Sequence, residues 1–178
     1  MPLSRVLKDA FLIEIEKQCK FGIMASYDLE NALKSHNMDR LWYSVQGILL
    51  AAGNISKLFW PGNSRSVNRG NELRTLLSVN DQSALAPRTF RNHFEHFDER
   101  LEQWASSSTR HNIVDSSVLP PGVIQGIDAG DFLRNLDPTT WSVTFRGDSY
   151  DLRPVVQEIT RLWQRVTQEI VKARYPQP

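Results

Sequence analysis

The chain of 178 residues suits a single domain, residues 1–178, and is long enough to bury a sizeable core. Its 40% apolar and 23% charged residues exclude a disordered polar chain, and a net charge of +1 excludes a global field for nucleic acid, so any such binding needs a local basic patch. One cysteine, Cys19, excludes an intrachain disulfide and fits a reducing compartment. The opening segment is interrupted by Arg5, Lys8, Asp9 and Glu14, unlike a signal peptide, and the longest apolar run, Gly47 to Gly53, falls far short of the roughly 18 residues that cross a bilayer. A cytoplasmic protein with no membrane partner is expected.

Residues 4–20 read as a helix with Ser4 as N-cap and an apolar stripe through Val6, Leu7, Ala10, Phe11 and Ile13; Phe21-Gly22 offers a stop, and a shorter helix runs from Ser26 to Leu33. Asn37 or Asp39 caps the next helix, whose stripe runs from Leu41 through Ile48 and Ile55 to Phe59 before Pro61-Gly62 ends it. Pro61 to Asn71 reads as a loop holding Arg65 and Arg69, followed by a short helix at about Asn71 to Val79. Residues 87–105 read as one helix with Pro87 in its first turn. The segment from His111 to Gly130 has paired prolines, spaced glycines and no helical period. Trp141 to Phe145 alternates like a half-buried strand, Gly147-Asp148 signals a hairpin turn, and Ser149 to Leu152 can pair back. Pro154 opens a last helix with Val155, Ile159, Leu162 and Val166 on one side. The architecture expected is an all-α helical bundle with a small β-hairpin insertion, residues 111–150, before the last helix.

On a wheel of about 100° per residue, Phe90, Phe94, Phe97, Leu101 and Trp104 form the core arc of helix 87–105. His93 lies at its edge, the place of a core-edge histidine bonded to backbone. Arg88, Asn92, His96, Glu99 and Gln103 fall opposite, with Asn92 and His96 neighbours at i and i+4. A solvated helix face is the simplest account of these polar residues.

The string Arg91-Asn92-His93-Phe94-Glu95-His96 resembles the signature of the HEPN superfamily: an arginine, a polar residue that is often asparagine, and a histidine a short interval later on one helix of an all-helical bundle. The resemblance implies a metal-independent endoribonuclease without cofactor, of the kind found in toxin–antitoxin, phage-defence and RNA-processing systems. It also implies a homodimer in which two motif helices face each other across one cleft, and allows a neutralising protein partner. The residue types suit the chemistry: His96 as general acid/base, Arg91 as phosphate stabiliser and Asn92 as orienter. Arg65, Arg69, Arg88 and His93 are candidate RNA-binding residues, with Arg74 adding to a basic patch around the first two. The alternatives are a non-catalytic HEPN-like bundle that binds a protein or nucleotide partner, and an unrelated helical interaction domain.

Other constellations are weaker. His93 and His96 differ by 60° on the wheel and lack further ligands, so no metal site is expected. No phosphate-cradling loop and no Gly-x-Ser-x-Gly elbow is present. Cys19 is expected to pack, and the five tryptophans read as core. Arg146-Gly147-Asp148 reads as a hairpin turn.

Overall fold

The computed structural model describes residues 3–87 and 89–175, and the side chains of all of these except 89–91. Its frame is three long helices, α1 (Arg5–Ser35), α2 (Met38–Phe59) and α6 (Leu152–Arg174). Ser4 caps α1, Asn37 caps α2 and Asp151 caps α6, each side chain accepting a backbone N–H of the first turn. The short connection through His36 and Asn37 folds α2 back along α1, and α6 packs against the same side of α1. Leu12, Ile15, Leu29, Val45, Ile48, Ile55, Ile159 and Leu162 fill the space between them. Among the described residues no helix is long and apolar enough to cross a membrane.

The helices expected at residues 4–20 and from Ser26 to Leu33 are one continuous helix, α1. Gly22 does not stop it. A Cβ there would lie 2.9 Å from Ile159 Cδ1 and 3.4 Å from Ala51 Cβ, so the missing side chain lets three helices approach closely. The helix expected near Asn71 to Val79 also differs: after a 3₁₀ turn, Ser64–Ser66, α3 spans Val67–Leu76 and takes Arg69 out of the loop. Gly70 is its contact point, because a Cβ would sit 2.3 Å from the Phe59 carbonyl oxygen.

The helix expected over residues 87–105 is two. α4 (Thr89–Glu95) ends at His96, which has φ −114° and ψ 41°, and α5 (Phe97–Ser107) follows. α5 lies at the margin of the fold with no buried residue, and Leu101, expected in the core, is 37% exposed. Phe94, Phe97 and Trp104 are half-buried against the core; Phe90 lies outside the described side chains.

The fold is mostly helical but not purely so. The hairpin is β3 (Ser142–Phe145) and β4 (Asp148–Asp151), antiparallel, with Val143 and Phe145 buried. Trp141 is not in the strand. Two further strands extend it to a four-stranded sheet in the order β1-β2-β3-β4: β1 (Ser117–Val118) pairs parallel with β2 (Asn135–Leu136), which pairs antiparallel with β3. Both are two residues long, too short for any period in the sequence to reveal.

Gly70→Ala should therefore be the more harmful of two glycine changes, because backbone must move, with a loss at the upper end of the ~1–3 kcal/mol typical of overpacking. Gly22→Ala meets only a methyl group, and adding Ile159→Val, which removes that methyl, should recover part of its loss. Urea unfolding of the single and double variants checks both; equal losses for the two glycines would contradict the packing described.

Candidate functional site

The motif residues sit on α4 and at its junction with α5. Phe145 holds them there. The His93 ring stacks on Phe145 with centroids 5.0 Å apart and planes 7° from parallel, while Phe94 and Phe97 pack around it with centroids at 6.2 Å. His93 Nε2 lies 2.8 Å from Asp148 Oδ2 on β4. An ionised carboxylate only accepts, so Nε2 carries the donated proton. The His93 side chain is 11% exposed and its Nδ1 is shielded from solvent. The core-edge position expected for His93 is thus observed, with a carboxylate in the place of a backbone partner.

His96 is placed differently. Its side chain is 49% exposed, and Nδ1 lies 3.3 Å from Glu99 Oε1 on the first turn of α5. Donation from Nδ1 to that carboxylate leaves the Nε2 lone pair on the accessible imidazole. The His96 amide bonds to the Asn92 carbonyl at 3.0 Å, so the two residues stay one turn apart despite the junction. Asn92 is half-buried, whereas His96 is exposed. Arg91 precedes it in the helical backbone of α4; its side chain lies outside those described. Arg88 lies outside the described residues. Glu95 pairs with Lys57 at 3.6 Å, tying α4 to α2. Glu95, Asp98 and Glu99 flank His96 in the sequence, and Lys57 offsets the first of them at 3.6 Å.

The other candidate arginines lie near the C-terminal end of α2. Arg65 is exposed in the 3₁₀ turn. Arg69 donates to the Lys57 carbonyl at 3.1 Å and lies over the Phe11 ring, and Arg74 donates to the Phe59 carbonyl and lies over Trp60. These two arginines satisfy the last carbonyls of α2, a role any helix C-terminus demands. Arg69 and Arg74 thus each spend a donor on the protein's own backbone, and Arg74 also pairs with Asp81 at 3.3 Å.

Other reactive groups have structural roles. Burial pushes the Cys19 thiol up to about 12, so it is no nucleophile at neutral pH. Hydrogen bonds from Ser108 Oγ at 2.7 Å and Trp104 Nε1 at 2.9 Å hold the Asp131 carboxyl below its usual range and tie α5 to the chain leading into β2. No three His, Cys, Asp or Glu side chains gather as metal ligands among the described residues. Sequence reasoning missed Asp148 and Phe145 as the seat of His93 and Glu99 as the partner of His96. Only the last was accessible, from its i+3 spacing.

Asp148→Ala should cost about 0.5–1.5 kcal/mol, the usual net worth of one hydrogen bond. His93→Ala should cost more because it also removes the stack on Phe145, whereas His96→Ala should leave stability nearly unchanged. A double-mutant cycle of His93 and Asp148 by thermal unfolding should give a coupling close to the whole Asp148 effect. Additive losses would mean the pair does not interact in solution.

Compared with protein-family models, curated proteins and solved structures, the chain finds no match in any of the three.

Proposed function

We propose that the protein is an endoribonuclease of HEPN type, with His96, Asn92 and Arg91 at its centre and no metal in the reaction. The observation that carries the reading is the state of His96: exposed, oriented by Glu99 through Nδ1, with Nε2 left to take a proton. Attack of a ribose 2′-hydroxyl on the adjacent phosphorus requires removal of that proton and protonation of the departing 5′-oxygen, and an imidazole can do either. Arg91 would meet the charge that builds on the phosphate. Asn92, one turn from His96, would hold the strand or the ring. His93 has no part in the proton transfers; it fixes α4 against the hairpin. A role in toxin–antitoxin or phage-defence systems, with a neutralising protein partner, extends the same proposal and rests on the resemblance alone.

The resemblance implies a site completed by two copies, and an exposed surface beside α4 supports that reading. Beside α4, Tyr43, at 75% exposure, and Leu50, at 55%, stand on the outer face of α2, and with Gln46, Gly47, Phe94 and Glu95 they line a depression of about 300 Å³. Aromatic and aliphatic groups in the open beside polar ones mark an association surface. A second copy seated there would bring its own α4 next to this one. The same surface is the observation that favours the other reading, a non-catalytic bundle that binds a protein partner.

The purified protein should cleave single-stranded RNA in the presence of EDTA and leave 2′,3′-cyclic phosphate ends. His96→Ala should slow cleavage by about 10²–10⁴-fold, the range for general acid–base assistance, and Arg91→Ala comparably. A folded His96→Ala protein that cleaves at the wild-type rate would remove His96 from the mechanism.

Light scattering at micromolar concentration should give a dimer, and Leu50→Asp a folded monomer with lost activity. A monomeric wild type would leave the two-copy site without support.

A further inference from the structure

A groove of about 410 Å³ separates the C-terminal half of α1 from the start of α6, at the far end of the hairpin from the motif. Roughly 13 Å of strand, at about 3.3 Å per residue, lies between Trp141 beside it and Phe145 beside α4. Trp141 lines it together with Val156, Lys34, Arg153, Glu30 and Gln157. The indole belongs to a residue with φ +63°, a left-handed conformation that a bulky side chain seldom adopts. The surrounding chain enforces it. The Trp141 N–H bonds to the Asp137 carbonyl at 2.9 Å, the Trp141 carbonyl accepts from Leu152 N at 3.1 Å, and the Asp137 carboxylate accepts from Thr139 N and Thr140 Oγ1 at 2.8 Å each. These bonds fix the position of the indole at the rim of the groove.

The ring is half-buried against the core, and its polar edge is not engaged as those of three other tryptophans are. Trp42, Trp60 and Trp104 each donate the indole N–H to an acceptor in the chain, whereas Trp141, like Trp163, donates to none among the described residues. The cations of the groove are available too. Lys34, on the last turn of α1, is exposed and forms no ion pair among the described residues, and Arg153 spends one Nη on the Thr139 carbonyl and keeps its other donors. One aromatic ring, two cations and two side chains able to hydrogen-bond a heterocycle thus share one groove whose volume is that of a small-ligand site.

We propose that this groove binds a nucleoside phosphate, with the base on Trp141, the phosphate on Lys34 and Arg153, and Glu30 and Gln157 bonding to the edge of the base. Aromatic stacking beside flexible cations is how sites without base-pair readout hold single nucleotides. The ligand is either a free nucleotide or one residue of an RNA strand whose scissile bond lies elsewhere. The proposal needs no cleavage by His96 and is tested in its absence.

Adenosine 5′-monophosphate and a 5′-phosphorylated hexa-adenylate RNA are titrated into the full-length His96→Ala protein by calorimetry. Saturable binding is expected, weakened about tenfold by Trp141→Leu, as loss of one base stack predicts. Trp141→Phe should retain affinity to within about threefold. Lys34→Glu, an exposed change that leaves folding intact, should weaken binding at least several-fold and flatten its salt dependence. Equal affinity for the two probes assigns the groove to a free nucleotide, and a clear preference for the oligomer assigns it to a strand. Failure of both probes to bind at millimolar concentration, or affinities unchanged by both Trp141→Leu and Lys34→Glu, overturns the proposal. An RNA-cleaving wild type with those results would leave the His96 reading standing, and groove binding in a protein that never cleaves would leave the groove standing alone.

Discussion

Where the motif stands in space depends on the burial of one ring. Phe145, at the end of β3, is almost fully buried, and His93, Phe94 and Phe97 surround it from the two sides of the α4–α5 junction. α5 brings no buried residue of its own, and it is held by what Phe97 and Trp104 reach. Arg134 closes over the outer face of Phe97 at 4.4 Å, and Asp131 takes the Trp104 indole N–H. The sheet is thus the surface on which the helix carrying the motif is mounted, and through Leu136, Val143 and Phe145 it also joins the core of the bundle.

The frame behind that surface follows from close helix approach. Gly22 brings α1 against both α2 and α6, and Gly47 brings α2 against Ala25, where a Cβ would lie 3.0 Å from that methyl group. Close approach at α3 sets up the arginine cluster as well. Gly70 seats α3 against the Phe59 carbonyl, and Pro61 has no N–H to offer the end of α2. Arg69 and Arg74 fill that need from the side. Their guanidinium groups also lie over Phe11 and Trp60, so each arginine serves packing and hydrogen bonding together.

The long helices were legible because their signals are local. Ser4 and Asn37 announced two N-termini, the stripe from Leu41 to Phe59 announced α2, and alternation with Gly147-Asp148 announced the hairpin. The errors share one cause. A glycine, a turn-rich loop and a wheel drawn through residues 87–105 were given local meanings, and tertiary contacts gave them others: Gly22 met Ile159, Arg69 met α2, and the chain at His96 left helical geometry. β1 and β2 exist only through each other and β3, so no window of sequence contains their reason. The candidate site was legible as a set of residue types. Its geometry was not, because Asp148 lies 55 residues from His93.

The contrast between the two histidines follows from the same contacts. Identical side chains three positions apart are separated by what lies beside each one. His93 faces the hairpin, where a stacked ring and a carboxylate hold it against exchange with solvent. His96 occupies the junction, and its backbone angles decide where its ring points relative to Asn92. Those angles are bounded on one side by His93 and Phe94 and on the other by Phe97, all of which rest on Phe145. An exposed imidazole therefore sits between half-buried neighbours that rest on one buried ring. The β3–β4 unit thus supports both sides of the junction at which His96 stands.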